Sequence, residues 1–414
     1  MTSVPRERLH PLLRAAPYLL AVTLLFRLVW TFFTANGMNW VDLHVYVDGS
    51  ASLVGGDLYR FVYADQTPDF PLPFTYPPFA AVVFFPLHFL PFTVVGIAWQ
   101  VATIAALYVV VRISLRLVVG DRADLPSWRR AALLWTAVGI WTESMRTTMD
   151  YGQVNVFLVL GGMVAVRSSR SWLSGGIVGF VAGIKLTPAI TGLYFLAQRR
   201  WKAAALSAVA FFATVAVSWL IASEQARQYF TEILGDANRI GPVASVWNQS
   251  LRGALSRIMG RDVGNGPLWL ICAVVLLALA FLAWRALRRD DRLGTMLIVQ
   301  FVGLLLSPIS WSHHWVWVVP LFVWLLHGPY GTYLGTRIVA GYWLVTTLVG
   351  VPWILSFFQP SIWEVQRPAL LAWLGTVDVV GSVLLFGWIA YVGRRTTGPV
   401  PADRSRRREP RPSS

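Results

Sequence analysis

Apolar runs of roughly membrane-crossing length recur from one end of this chain to the other, and arginines close most of them. A crossing takes about 20 predominantly apolar residues. Runs of this kind lie at 14–34, 92–118, 129–147, 153–167, 171–185, 187–198, 202–222, 267–285, 293–308, 314–329, 338–356 and 369–392. That makes about twelve candidate helices. The shorter ones suit broken helices facing a cavity, where irregular backbone is tolerated. Composition agrees: 56% of the residues are hydrophobic, 13% are charged and the mean hydropathy is +0.57, whereas soluble domains carry about 25% charged residues. The expected fold is an all-α polytopic integral membrane protein. Residues 1–393 form one transmembrane domain, and 394–414 form a basic, Pro- and Ser-rich disordered tail.

The net charge of +15 is distributed by topology. Lys185 and Lys202 apart, the 35 basic residues are arginines. They cluster at Arg6–Arg14, Arg112–Arg130, Arg167–Arg170, Arg199–Lys202, Arg285–Arg292 and Arg394–Arg411. Placed in the cytoplasm, these connections leave both termini inside. The outside then receives 35–78, the Met149–Asn155 turn, 223–266, Ser307–His314 and 357–368. Clusters between apolar runs point to membrane lipids as partners and not to nucleic acid, and the tail suits anionic lipids. The stretch 79–91 is interrupted by Pro86 and Pro91 and is expected to be interfacial or re-entrant. The first apolar run is too long for a cleaved signal and is expected to be retained. The lone Cys272 excludes a disulfide framework and the usual cysteine zinc site.

The first outside loop is the acidic island of a basic chain. It holds Asp42, Asp48, Asp57, Asp65 and Asp69 against Arg60. Loop solvation accounts for the last three. Asp42 lies just past the first span, where a carboxylate at a membrane surface is costly and marks a candidate site. The other polar interruptions fall near the same face: FTYPPF with Tyr76, DYGQVN with Gln153 and Asn155, GIKLTP with Lys185, WNQSLR with Asn248 and Gln249, and SPISWSHHW with Trp311, His313 and His314.

Each has an ordinary explanation. Lys185 could snorkel from a span end, but Pro188 supports a helix break that would fix its ammonium as a phosphate ligand. Gly175, Gly179 and Gly183 recur every four residues before it, a small-residue stripe that lets a neighbouring helix approach. His313 and His314 are adjacent, not spaced as a zinc helix requires, and no Glu or Cys accompanies them. A histidine donating to an anionic leaving group competes with an interfacial structural histidine. No P-loop, dinucleotide fingerprint or nucleophile elbow occurs, so a soluble nucleotide-sugar fold is not expected.

Taken together, Asp42, YPP, GQ-x-N, K-x-x-P, NQSL and SP-x-SW-x-HH resemble the GT-C membrane glycosyltransferases. The closest likeness is to glycosyltransferase family 87, the polyprenol-phosphate-mannose-dependent α-(1→2)-mannosyltransferases. The resemblance covers residues 15–392. It implies a GT-C fold with outward-facing catalytic loops, inversion at the sugar, a polyprenyl-phosphate mannose donor and a phosphatidylinositol mannoside acceptor, at the outer face of the cytoplasmic membrane. It implies no cofactor and no obligatory metal. Under it, Asp42 is the base, and Lys185 and His314, with His313 as alternate, hold the leaving phosphate. Asp48, Tyr76, Gln153, Asn155, Asn248, Gln249 and Trp311 bind substrate. An α-1,2 branching enzyme of lipomannan or lipoarabinomannan is the alternative within the class. A lipid or sugar transporter is the alternative outside it, although no internal repeat of the transporter kind is visible. The enzyme reading requires the polar set to converge on one cavity.

Overall fold

The computed structural model describes residues 9–34 and 37–397. The tail expected at 394–414 therefore lies outside the described residues from 398 onward. Helices carry almost all of the fold. The chain enters through α1 (Pro11–Phe33), opened by Pro11 at its first position and by a His10 ring nitrogen that accepts from Leu12 N–H. Its flanks expose Tyr18, Leu25, Phe26 and Leu28, as expected of a helix bathed in lipid.

The first outside stretch is not simply a loop. It folds as α2 (Val41–Ala51), then a two-stranded antiparallel hairpin, β1 (Val62–Tyr63) and β2 (Leu72–Pro73), pairing Val62 with Pro73 and Tyr63 with Leu72. Next come α3 (Pro78–Phe84) and one 3-10 turn to Phe89. This apolar unit, Pro78–Phe89, is too short to cross a bilayer. It sits against α2, and its length fits the expectation that 79–91 does not span.

The bundle continues with α4 (Phe92–Val119), α5 (Pro126–Trp141), α6 (Glu143–Tyr151), α7 (Asn155–Arg167), α8 (Ser171–Ile184), α9 (Thr191–Ala197) and α10 (Trp201–Ile221). Then follow α11 (Ser223–Gln228), α12 (Leu251–Met259), α13 (Pro267–Ala286), α14 (Arg292–Leu306), α15 (Val318–His327), α16 (Leu334–Val349), α17 (Val351–Ser356), α18 (Ala369–Leu374) and α19 (Val377–Thr397). Among the described residues, five helices are long and apolar enough to cross a membrane, or six if the bent pair α6–α7 is one span. The other expected spans are shorter helices or interrupted ones. The segment 129–147 breaks at Thr142, where the backbone turns extended. The segment 338–356 breaks at Gly350, whose φ of +74° favours glycine. The α6–α7 pair bends by 119°.

Two packings position the site. Among the described elements, helices α8 and α10 share the most extensive contact, and the glycine stripe explains it. A β-carbon at Gly175 would lie 2.7 Å from the Ala203 carbonyl oxygen, one at Gly179 would lie 2.5 Å from the Ala210 β-carbon, and one at Gly183 would collide with Thr214. The buried apolar residues form two clusters. The larger runs through α4, α7, α14, α15 and α16; the smaller gathers α2, the hairpin and α3 around Tyr46, Phe74 and Phe84. The site lies where the smaller cluster meets the α6–α7 turn.

Candidate active site

Asp42 sits in the first turn of α2, near the positive end of a helix dipole. The helix is preceded by Trp40, a non-glycine residue in the left-handed region at φ 43°. Gly152, also left-handed at φ +71°, lets the α6–α7 turn press onto α2: a β-carbon there would fall 2.6 Å from that of Leu43. The contact sets Gln153 beside Asp42. The Gln153 amide oxygen accepts from Tyr46 Oη at 2.8 Å and from Lys185 Nζ at 3.4 Å. Its NH₂ end is then left for the Asp42 carboxylate. Burial raises the Asp42 pKa above the ordinary carboxylate value, against the pull of the Gln153 hydrogen bond and the Lys185 charge. Such a carboxylate is a stronger base than a solvated one.

Lys185 follows directly on α8, which ends because this residue is extended (φ −146°, ψ 128°). Pro188 then sits in a 3-10 turn, so the expected break is present. The side chain is 8% exposed. Its Nζ lies 3.0 Å from Asn155 Oδ1, 3.1 Å from His314 Nε2 and 5.5 Å from the centre of the Tyr76 ring. All these neighbours are neutral. The Asp42 carboxylate acts on Lys185 through space, so the ammonium is free to meet an anion as well.

The Ser312–Trp317 3-10 turn brings up the opposite wall. Lysine has no acceptor, so His314 Nε2 accepts from Lys185 and its proton belongs on Nδ1. His314 Nδ1, His313 Nε2 and Ser312 Oγ are buried atoms without a protein partner. Buried polar atoms are seldom left so; these three share one turn, and His314 of that turn touches Lys185. The His313 carbonyl accepts from Asn155 Nδ2 at 2.7 Å and from Thr148 Oγ1 at 3.2 Å, which fixes the turn against α6 and α7.

These groups line one cavity of about 550 Å³ with Tyr76, Tyr151, Trp247 and Trp311. Leu186, Thr187, Ser307 and His314 are shared with a second, largely apolar cavity of about 320 Å³ floored by α14, Pro188 and Trp317. Among the described residues, no three His, Cys, Asp or Glu side chains gather as a metal site.

Of the residues expected at the site, Asp42, Tyr76, Gln153, Lys185, Trp311, His313 and His314 line the main cavity, and Asn155 holds Lys185 from the second. Three lie elsewhere. Asp48 is six residues from Asp42 on a helix, about 120° round the axis; it is exposed and pairs with His44 at 2.7 Å. Asn248 and Gln249 are fully buried. Asn248 Nδ2 donates to Val243 O and Pro308 O, while Gln249 Nε2 donates to Val246 O and Gly375 O. Their amides strap loops together and do not reach the cavity. Sequence reasoning missed Tyr46 and Ser312. Tyr46 reads as one more apolar residue in VDLHVYV, and a lone serine carries no signal.

The pattern that defines glycosyltransferase family 87 matches residues 74–308. Over 91% of its length the chain is 60% identical to the polyprenol-phosphate-mannose-dependent α-(1-2)-phosphatidylinositol pentamannoside mannosyltransferase of Mycolicibacterium smegmatis, covering 92% of that protein. The chain belongs to glycosyltransferase family 87. The protein of the same description from Mycobacterium tuberculosis is 58% identical over 91% of this chain and 87% of its own length. A polyprenol-phosphate-mannose-dependent α-(1-2)-phosphatidylinositol mannoside mannosyltransferase of M. smegmatis is 34% identical over 73% of this chain and 76% of its own. No solved structure matches the chain. The protein is thus an all-α membrane glycosyltransferase.

Proposed function

We propose that this protein is an inverting α-(1→2)-mannosyltransferase that moves mannose from polyprenyl-phosphate mannose to a phosphatidylinositol pentamannoside at the outer face of the cytoplasmic membrane. The observation that carries the mechanism is one cavity lined by both a half-buried carboxylate, Asp42, and a buried ammonium, Lys185. The choice of acceptor rests on identity: the relatives named for the pentamannoside are 60% and 58% identical, against 34% for a relative named for a phosphatidylinositol mannoside.

In this reaction Asp42 takes the proton of the acceptor hydroxyl as its oxygen attacks the anomeric carbon. The carbon–oxygen bond to phosphate breaks on the other face of the ring, and the electron pair leaves with the phosphate oxygen. Attack opposite departure inverts the centre. Lys185, His314 Nδ1 and Ser312 Oγ meet the charge that grows on the phosphate, donors set in place before reaction. The polyprenyl phosphate leaves as an anion, so no general acid is needed to protonate it. The apolar side cavity takes the first part of the donor's isoprenoid chain, its opening beside His314 putting the phosphate at Lys185. Tyr76 and Trp311 face the sugars with ring surfaces.

The lining comes from 39–77, 151–153, 229–240, 247 and 307–314, stretches that arginine counting assigns to one face, together with 185–187. That convergence favours the enzyme over a translocation path. The test is incubation of the purified protein with polyprenyl-phosphate mannose and a panel of phosphatidylinositol mannosides, with linkage analysis. One added α-1,2 mannose on the pentamannoside is expected. Transfer to none of the acceptors would overturn the reading.

A further inference from the structure

Arg27 is a charge in the body of the first span, and the chemistry above gives it no part. It lies on α1 between Phe26 and Leu28, is 2% exposed, and its Nη2 is 2.7 Å from Asp150 Oδ1. One turn further on, Trp30 Nε1 donates to the same carboxylate oxygen at 3.1 Å. Asp150 does not line the cavity, so this pair touches no substrate.

Asp150 is tied in two other directions. Its carbonyl accepts from Trp40 N–H at 2.7 Å, at the left-handed residue that starts α2 two positions before Asp42. By sequence it stands three residues before Gln153, across the Gly152 turn that presses on Leu43. The Trp40 ring fills the space over Gly96, where any β-carbon would collide with it. One residue therefore joins the first span, the start of the helix bearing Asp42 and the turn bearing Gln153.

A charged pair inside a span is a poor choice for stability. Desolvating two ions costs much of what their attraction returns, and apolar residues of similar volume often do as well or better. What an ion pair offers is a fixed distance and direction. We propose that Arg27 and Asp150 are positioning residues, holding α2 and the α6–α7 turn in the register that aims the Asp42 carboxylate at the acceptor hydroxyl.

This rests on Asp42 being the base of the proposed transfer, so the wild-type protein is assayed first. Absence of transfer by wild type would count against the proposed function and not against the register. Where wild type is active, the decisive variant is Arg27→Met with Asp150→Leu, which removes both charges of the pair together. It is expected to keep the wild-type melting temperature and donor KM within about twofold, while kcat falls about tenfold or more, because a small misplacement of a catalytic group is that costly. Arg27→Lys, which can still pair with Asp150, is expected to retain most of kcat. An unchanged kcat in the double variant overturns the proposal. So does a kcat loss matched by loss of donor affinity and thermal stability, which would make the pair ordinary framework.

Discussion

Two buried polar clusters lie within this membrane domain, and they use their polar atoms in opposite ways. Around Asp42 the bonds run from side chain to side chain: Tyr46 to Gln153 and to Tyr76, and Lys185 to Gln153, Asn155 and His314. His313 Nε2, His314 Nδ1 and Ser312 Oγ are left without protein partners, on residues that line a cavity. Around Arg257 the bonds end on backbone. Its guanidinium donates to the Ser245, Asn248 and Gly375 carbonyls at 2.6–2.8 Å. Asn248 Oδ1 accepts from Ser250 N–H and Ser310 N–H, and Gln249 spans Val246 and Gly375. That cluster ties the neighbouring loops to α12, which carries Arg257 and is capped by Ser250. By pinning 307–310, it holds up the turn bearing His313 and His314. Burial and polarity are alike in both places; what differs is whether the partner is backbone or open space.

The largest break in the comparison is expected from Asp42→Asn. The amide keeps the shape and the Gln153 contact but cannot take a proton. Transfer should fall by about 10² to 10⁴, with donor binding retained, as read by turnover and by binding of labelled donor. The pH profile sharpens the point. Only ionised Asp42 acts as base, and burial raises its pKa. Turnover should therefore rise with pH through a limb lying above the ordinary carboxylate range. A limb at the value of a solvated aspartate would remove Asp42 from the role.

Lys185→Met comes next. It preserves length and apolar fit while deleting the charge, so donor affinity and turnover should weaken together, by about a hundredfold in kcat/KM. Unchanged donor affinity would return Lys185 to a packing role. His314→Ala should cost about ten- to a thousandfold in kcat, since it removes one donor to the departing oxygen. Activity of all these proteins should survive chelators. Restoration of a chelated enzyme by added divalent ion would require a metal in the cavity.

Isolated charges in apolar sequence were the legible part of this site. Lys185 stood out as a charge in apolar sequence three residues before Pro188, and the glycine stripe before it announced the close α8–α10 contact. Asp42 stood out by its distance from a span end. Its helix did not, because Val41, Leu43, Val45 and Val47 alternate in a way that β-branched residues favour elsewhere; tertiary packing against the hairpin and α3 decides for helix. Span counting failed where short elements abut, at Thr142, Gly350 and Gly375, since hydropathy continues across a bend. Asn248 and Gln249 were misread because an amide motif looks the same whether its partner is a sugar or a carbonyl two loops away. Arg27 was overlooked because a lone arginine in a span gains meaning only when Asp150 is found opposite.

The smallest effect on chemistry is expected from Asn248→Ala, and it tests the sealed cluster directly. The substitution removes two donors from the Val243 and Pro308 carbonyls and leaves the Ser250 and Ser310 N–H groups without their acceptor. An unsatisfied buried group costs about 1–3 kcal/mol, so the melting temperature of the purified protein should drop clearly. The His313–His314 turn, however, has independent ties: its His313 carbonyl is held by Asn155 and Thr148, and Ser312 N–H donates to Trp247 O at 2.8 Å. Turnover per folded molecule should therefore stay within about tenfold of wild type, a smaller loss than removing a transition-state donor brings. Were Asn248 a sugar ligand, the order would reverse, with acceptor KM rising sharply and stability barely moving. Measuring both quantities on one preparation separates a strap from a substrate contact.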